Sequence, residues 1–228
     1  TAIIGDELAA VKQEFGQTKL GARRSEIVHN ALDLATEDLI TPTDMVVTLS
    51  HTGYIKSQPL TEYRAQKRGG RGKQATATKE DDWIDQLFIA NTHDWLLCFS
   101  DRGRVYWLKV WEVPQGSRNS RGKPIVNMFP LQPGEKVNVV LPLTDGFRSF
   151  PADHYVMMAT AGGQIKKTEV MEYENYREKG IIGVKIADDD QLLGAAVTDG
   201  SSEFLIATKN GKSIRFDEQQ VRPMGRSA

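Results

Sequence analysis

The segment Leu96–Tyr106, LLCFSDRGRVY, contains the pattern that decides the fold. An apolar run is followed by a polar turn that contains glycine, and then by a second apolar run that carries a basic residue. This pattern is typical of two antiparallel β-strands joined by a tight hairpin, because glycine accepts the positive φ that such a turn needs. The same pattern occurs three more times, at residues 46–56, 155–166 and 204–215.

The spacing of the four hairpins predicts a repeated fold. Successive turn glycines are 50, 60 and 48 residues apart, at Gly53, Gly103, Gly163 and Gly211. That interval matches one four-stranded propeller blade. After each of the first three hairpins come a basic loop, an acidic turn and a closing apolar strand, at Leu87–Ala90, Val137–Leu141 and Leu192–Val197. The extra length of the second interval predicts a surface loop at Thr144–Asp153.

We therefore predict an all-β, propeller-like pinwheel of repeated four-stranded blades over residues 44–228, preceded by a short N-terminal helix. Residues 1–16 have the helical spacing of one apolar stripe, at Ile4, Leu8, Val11 and Phe15. Residues 17–43 are a charged connector, with a possible short strand at Glu26–Val28. About three and a half blades are expected, and the domain is expected to be incomplete because the fourth unit stops before its basic loop. Trp83, Trp95, Trp107 and Trp111 fall on predicted strands and are interpreted as blade cores.

Composition excludes several classes of function. The net charge is −1, from 29 basic and 30 acidic residues, so any cationic surface requires segregated charge. The single Cys98 excludes a disulfide framework and lies in an apolar run, which predicts a buried thiol. No segment has the length of an apolar membrane span. No catalytic motif or metal-ligand spacing is found, and the acidic turns are interpreted as solvated turns. The chain is expected to be cytoplasmic, with no catalytic residue and no metal site.

The basic loops are the candidate functional feature. In each complete repeat an Arg/Lys-Gly loop follows the hairpin glycine, by 19 residues at Gly72 and Gly122 and by 17 at Gly180. Cations that alternate with bare backbone N–H groups suit phosphates, and a series of such loops suits sequence-independent contact with bent duplex DNA. The predicted DNA contacts are Lys56, Gln66, Lys67, Arg68, Gly69, Gly70, Arg71, Gly72, Lys73, Arg104, Arg118, Arg121, Lys123, Lys166, Lys167, Arg177 and Lys179.

The heptad Gln66–Gly72, QKRGGRG, closely resembles the signature box of the DNA gyrase A family, which belongs to the type IIA topoisomerases. Flanking segments resemble that family too, among them Val46–His51, Ala90–Asp94 and Arg121–Asn127. The resemblance covers essentially the whole chain and implies the C-terminal domain, a six-bladed β-pinwheel that wraps duplex DNA around its rim. In that family the box lies on the first blade and is needed for wrapping, and hence for negative supercoiling.

The resemblance also implies a setting. Residues 1–16 would be the end of the coiled coil of the catalytic core, and the partners would be that core and the gyrase B protein in an A2B2 heterotetramer. The isolated domain would be monomeric and not an enzyme. It would bind no cofactor, because ATP and Mg²⁺ are used elsewhere in the holoenzyme.

Three alternatives remain open from the sequence. One is the corresponding domain of topoisomerase IV, which carries a degraded box. Another is a propeller that serves as a protein-interaction platform, in which the basic loops are ordinary solvated turns. The last is RNA binding through the Arg-Gly-rich segment, which predicts a preference for single strands.

Overall fold

Four antiparallel hairpins form the frame of the molecule, as the sequence predicts. In the computed structural model their turn glycines all have positive φ, at +86° (Gly53), +75° (Gly103), +86° (Gly163) and +79° (Gly211). The structure describes residues 2–16, 18, 36–63, 81–144, 147 and 153–227. The strands of that part of the chain are β1 (Asp44–Ser50), β2 (Tyr54–Pro59), β3 (Ile84–Asn91), β4 (Trp95–Ser100), β5 (Arg104–Lys109), β6 (Lys123–Pro124), β7 (Val137–Leu143), β8 (Tyr155–Thr160), β9 (Ile165–Glu169), β10 (Ile181–Ile182), β11 (Leu192–Thr198), β12 (Glu203–Ala207) and β13 (Ser213–Asp217).

The hairpins are β1–β2, β4–β5, β8–β9 and β12–β13, and each belongs to a separate sheet. The three predicted closing strands are present as β3, β7 and β11, which pair with the first strand of their own hairpin. The sheet orders are β3-β1-β2-β6, β10-β5-β4-β7, β11-β8-β9 and β12-β13. The all-β blade architecture is thus confirmed, and the first two sheets have the predicted four strands.

The outermost strand of a sheet comes from the following repeat, which the sequence does not reveal. β6 lies after the second hairpin in the chain, yet it pairs with β2 of the first sheet. In the same way β10 lies after the third hairpin and pairs with β5 of the second sheet. The two basic loops that the structure describes, at 118–123 and 177–180, therefore lie at junctions, where one repeat reaches back to complete the sheet before it.

In the part of the chain that the structure describes, the core contains two apolar layers, one on each face of the second sheet. β4 alternates between them, as a two-residue period requires. Leu96 and Cys98 face the layer shared with the first sheet, and Leu97 and Phe99 face the layer shared with the third. Cys98 is buried, as predicted, and burial raises the pKa of its thiol far above the ordinary value.

The tryptophans only partly follow the prediction of blade cores. Trp107 is buried and its Nε1 donates to the Tyr173 carbonyl oxygen at 3.0 Å, whereas Trp95 and Trp111 are half-buried. Trp83 is 53% exposed and stacks on His51, with ring centroids 4.0 Å apart. The prediction of a core position is wrong for Trp83, because this residue precedes β3 and lies beside the β1–β2 turn instead of within a strand.

The acidic turns have a defined structural task. Asp82 accepts hydrogen bonds from the backbone N–H of Thr52 at 3.0 Å and from its hydroxyl at 2.6 Å. Asp190 accepts one from the backbone N–H of Gly162 at 2.7 Å. Each carboxylate thus ties the start of the closing strand to the adjacent hairpin turn.

The described residues divide into two compact units, between Leu39 and Ile40. The first contains the helix α1 (Ala2–Phe15) and a 3₁₀ turn at Thr36–Leu39. The apolar stripe of α1 is exposed, with 46–73% of each large apolar side chain accessible. The possible strand at Glu26–Val28 and most of the predicted loop at Thr144–Asp153 lie outside the described residues. Among the helices described, none combines the length and apolarity required of a membrane span.

Candidate nucleic-acid interface

Two basic loops are described, and each rests on the second strand of the preceding sheet. The first is Arg118–Lys123, and two hydrogen bonds to β2 hold the segment that leads into it. The backbone N–H of Ser57 donates to the Pro114 carbonyl oxygen, and the backbone N–H of Gly116 donates to the Ser57 carbonyl oxygen. The second spans Arg177–Gly180 and is closed by the backbone N–H of Gly180, which donates to the Arg177 carbonyl oxygen at 2.8 Å. The cations Arg121, Lys123, Arg177 and Lys179 are exposed, and Arg118 is half-buried with its guanidinium donating to the Glu62 carbonyl oxygen at 3.2 Å.

A buried lysine lies beneath the first loop. Lys56 is only 1% exposed. Its Nζ donates to the carbonyl oxygens of Ser117, Arg118 and Ser120 at 3.1, 3.1 and 2.9 Å. Burial lowers the pKa of Lys56, and the nearby Glu62 carboxylate partly opposes that shift. Three carbonyl oxygens match the three donors of an ammonium group, so the burial of this charge is compensated.

At the second junction, different side chains of the second strand support the loop. Arg104 donates through Nη2 to the Lys179 carbonyl oxygen at 2.7 Å and through Nε to the Tyr106 hydroxyl at 3.2 Å. Tyr106 stands at the repeat position of Lys56, three residues after the turn glycine, and its hydroxyl donates to the buried Glu135. A basic or phenolic group on the second strand thus supports the loop of the following repeat in both cases.

The third junction repeats the first. Lys166 is buried and its Nζ donates to the Arg226 carbonyl oxygen at 2.6 Å. A parallel bridge of Lys167 to Pro223 corresponds to that of Ser57 to Gln115, which places Arg226 at the repeat position of Arg118. Burial lowers the pKa of Lys166, and the charge of Arg226 lowers it further.

A buried ion pair strengthens this third junction. Lys167 Nζ lies 3.1 Å from Glu218 Oε1 and 4.0 Å from the centroid of the Tyr155 ring. Glu218 also accepts hydrogen bonds from the Thr198 hydroxyl at 2.6 Å and from the backbone N–H of Ser202 at 3.1 Å. Burial alone would raise the pKa of Glu218, but the hydrogen bonds from Thr198, Lys167 and Ser202 lower it below the ordinary value.

Three of the predicted DNA contacts are corrected by these positions. Lys56, Lys166 and Lys167 are no more than 5% exposed, so their ammonium groups do not form part of an exposed rim. The reason is that carbonyl oxygens and a carboxylate from distant parts of the chain bind these ammonium groups in the place of water molecules. Arg104 is half-buried, and its guanidinium is engaged with the second loop.

The remaining predicted contacts divide into two groups. Arg118, Arg121, Lys123, Arg177 and Lys179 lie on the two loops at the surface, where their contact with DNA stays a prediction. The signature box, Gln66–Gly72, and Lys73 lie outside the described residues. Sequence reasoning misses Tyr106, Glu135, Glu218 and Arg226, which support the junctions. Arg226 has a sequence signal, because Gly225-Arg226 falls where the fourth repeat approaches its basic loop, and Tyr106 shares its repeat position with Lys56.

Acid should weaken the fold through several carboxyl groups, three of which accept a hydrogen bond from a threonine hydroxyl. The hydroxyls of Thr198, Thr52 and Thr160 help to lower the folded-state pKa values of Glu218, Asp82 and Asp190 respectively. A carboxyl with a lowered folded pKa stabilises the fold above its unfolded pKa and loses that contribution as the pH falls towards the folded one. We expect the free energy of unfolding, measured with urea, to be steady above about pH 5 and to decline below about pH 4. Asp82→Asn should be less stable at pH 7 and decline less steeply, and a wild-type stability that rose on acidification would contradict this prediction.

This fold and these junctions define a class, a β-pinwheel whose sheets are joined by basic loops. The family of the DNA gyrase C-terminal domain, a beta-propeller, matches residues 44–91, 94–143, 154–199 and 202–228, and the chain belongs to it. The DNA gyrase A protein of Haemophilus influenzae is 49% identical over 226 residues, which are 99% of this chain and 25% of that protein. The DNA gyrase A protein of Escherichia coli is 49% identical over 203 residues, 89% of this chain and 23% of that protein. The chain thus spans about a quarter of the length of these curated relatives.

Solved structures agree on the fold. The C-terminal domain of DNA topoisomerase IV has a TM-score of 0.68 and 29% identity, over 82% of this chain and 56% of that one. A DNA gyrase A C-terminal domain has a TM-score of 0.60 and 24% identity, over 81% of this chain and 58% of that one. The resemblance to the gyrase A family inferred from the sequence is confirmed by the family match and by the gyrase A relatives at 49% identity, and the topoisomerase IV alternative is not favoured over it.

Proposed function

We propose that this chain binds duplex DNA without sequence preference and wraps it along the basic loops at the junctions of its sheets. The observation that carries the proposal is the repeated presentation of exposed cations. Arg121 and Lys123 lie at one junction, and Arg177 and Lys179 lie at the equivalent place of the next. A series of equivalent loops offers a track of phosphate contacts, and such contacts offset the energy of bending a duplex.

Membership of the gyrase family supplies the setting for this proposal. Wrapping by the domain would allow a gyrase, an ATP-dependent type II topoisomerase, to introduce negative supercoils. The domain itself would be a monomeric DNA-binding module in the cytoplasm, with no catalytic residue and no cofactor of its own. Its partners would be duplex DNA, the gyrase A catalytic core and the gyrase B protein in an A2B2 heterotetramer. The signature box at Gln66–Gly72 and Lys73 would act on the same DNA, because it occupies the position in the first repeat that Arg121-Gly122 occupies in the second.

A topology-shift experiment tests the proposal directly. A nicked circular plasmid is sealed by ligase in the presence of the chain, and its linking number is compared with that of plasmid sealed alone. Wrapping should leave a shift of one sign that grows with protein concentration. The matched control replaces Arg121, Lys123, Arg177 and Lys179 with glutamine, which removes the exposed charge of the two described loops and leaves the buried lysines and the box at Gln66–Gly72 in place.

The outcomes separate this function from its competitors. A graded shift that is lost in the control variant supports wrapping by the loops. DNA binding without any shift would reduce the role to non-wrapping attachment, and no binding at low salt would favour a protein-interaction platform. Tighter binding to single-stranded RNA than to duplex DNA would point to the RNA alternative.

A further inference from the structure

The segments that form the junctions differ in charge. Each runs from the end of a 3₁₀ turn through the loop, over residues 113–123 at the first junction, 174–181 at the second and 221–227 at the third. The first segment contains three cations and no acid, and the third contains two cations and no acid. The second contains two cations and two carboxylates, so its net charge is zero. Of the three junctions that the structure describes, the second therefore differs from the others in presenting no net positive charge.

The two carboxylates of the second segment lie among its cations. Glu174, Arg177, Glu178 and Lys179 are all exposed. Glu178 is the sequence neighbour of both cations, so its Cα atom lies about 3.8 Å from each of theirs. Screening becomes strong only beyond about 8 Å at physiological ionic strength, so these charges act together on an approaching phosphate. The net charge of the loop, and not its cations alone, therefore sets its attraction for DNA.

A tyrosine also replaces an arginine at the second junction. Tyr176 lies four residues before the glycine of its loop, which is the position of Arg118 in the first loop. Arg226 has the same repeat position at the third junction, and its Nη1 donates to the Ile182 carbonyl oxygen at 2.8 Å. Tyr176 is 56% exposed, and its ring packs edge-on against Trp107 with centroids 5.7 Å apart. An uncharged ring thus stands where the other two junctions place a guanidinium group.

We propose that the second loop is a weak contact in the DNA track, in which Glu174 and Glu178 repel the phosphates that Arg177 and Lys179 attract. The inference deepens the proposed function and rests on it, because the duplex is the one that the chain would wrap. Few counterions are released where the net charge of a loop is zero, so little affinity is gained there. A wrapped duplex is therefore held firmly at the first loop and opens first at the second.

The first test neutralises the two carboxylates. Glu174→Gln combined with Glu178→Gln changes charge and little else, because both side chains are exposed and glutamine has nearly the shape of glutamate. At low salt, fluorescence anisotropy should show this chain binding a linear duplex about fivefold more tightly in the double variant than in the wild type. The gain should shrink as salt is raised, because screening weakens the repulsion that is removed. An unchanged affinity, or a gain that does not depend on salt, would overturn the inference.

Two further variants show whether the position of a carboxylate matters. Asp85 is an exposed carboxylate on β3, at the edge of the first sheet opposite to β6. Asp85→Asn should therefore change the affinity by less than about twofold. Asn119→Glu places a carboxylate among the cations of the first loop and should weaken duplex binding. If Asp85→Asn gave the same gain per charge removed as the double variant, the effect would be one of total charge, and the weak contact would be refuted.

The second test measures where the duplex lies. Ser117 and Asn175 are exposed, and each lies five residues before the glycine of its loop. A cysteine introduced at either position can carry an iron chelate that cleaves nearby DNA, because the native Cys98 is buried and does not compete for the reagent. Cleavage from Ser117→Cys should be several times stronger than cleavage from Asn175→Cys. Adding Glu174→Gln and Glu178→Gln should increase cleavage from position 175 and leave cleavage from position 117 unchanged.

The outcomes distinguish this inference from the function on which it rests. Stronger cleavage from position 117, with a gain from position 175 once the carboxylates are neutralised, supports a weak second contact. Equal cleavage from the two positions in the wild-type background overturns the inference and leaves wrapping intact. Failure of the wild-type chain to bind duplex DNA overturns the proposed function.

Discussion

Glu218→Gln should lower the free energy of unfolding by about 3–5 kcal/mol, because it leaves the buried ammonium group of Lys167 without an opposite charge. Lys167 and Glu218 are both buried and lie 3.1 Å apart at the junction between the third and fourth hairpins. Glutamine has nearly the shape of glutamate and can still accept a hydrogen bond from Thr198. The loss therefore reports the charge and the hydrogen bond that Ser202 donates to the second carboxylate oxygen, and not a cavity. Urea unfolding at pH 7 measures it.

The chain offers a matched control on its surface. Arg215 and Glu203 form an ion pair across the fourth hairpin, with both side chains more than half exposed, so Glu203→Gln should change stability by about 1 kcal/mol or less. At the place of Glu218 the other repeats carry Leu60, Val110 and Val170 at the start of the same 3₁₀ turn. The double variant Lys167→Met with Glu218→Val should therefore regain most of the loss. Equal effects of Glu218→Gln and Glu203→Gln would show that the buried pair contributes no more than a surface pair.

Gly122→Ala should cost about 2–5 kcal/mol and release the first basic loop from the first sheet. Gly122 has a φ of +86°, and a Cβ atom at this residue would lie 2.3 Å from the Ile55 carbonyl oxygen. Because the neighbour is backbone, the clash can be relieved only by separating β6 from β2. The expected result is a lower urea midpoint, together with faster amide exchange at Lys123.

Gly163→Ala is the control for this prediction. Gly163 has the same φ of +86°, but nothing lies within 4 Å of the position that its Cβ would take. Its substitution should therefore cost only the conformational penalty of about 1–2 kcal/mol. If the two alanine variants were equally stable, the close contact between loop and strand would not exist as described.

The hairpins could be predicted from the sequence because the signals for them are local. Strand alternation and a turn glycine act within about a dozen residues, and the positive φ at Gly103 follows from the turn itself. The pairing of β6 with the sheet of the preceding repeat could not be predicted in this way. β6 has two residues and no periodicity, and its partner β2 is selected by the packing of whole repeats.

The buried lysines show a second limit of sequence reasoning. A lysine beside a glycine turn is normally solvated, and Lys56 in the sequence differs little from exposed Lys123. Its burial depends on three carbonyl oxygens that lie 61–64 residues further along the chain. The repeat does contain a hint, because a basic residue recurs on the second strand of each hairpin. From sequence alone that recurrence indicates contact with a ligand, whereas for Lys56 and Lys166 it reflects support of the loop.

Because the outer strand of a sheet comes from the following repeat, the order of synthesis on the ribosome affects when each sheet is completed. Tyr54 pairs with Pro124 and Arg104 with Ile182, so the partners are 70 and 78 residues apart. At about 5–20 residues per second, roughly 4–14 s pass between the emergence of β2 and that of its outer neighbour. During that interval β2 is an open edge that other nascent chains can pair with. A sheet can therefore be completed only after the following repeat has been synthesised. The outer strand of that repeat then covers the open edge of the sheet before it.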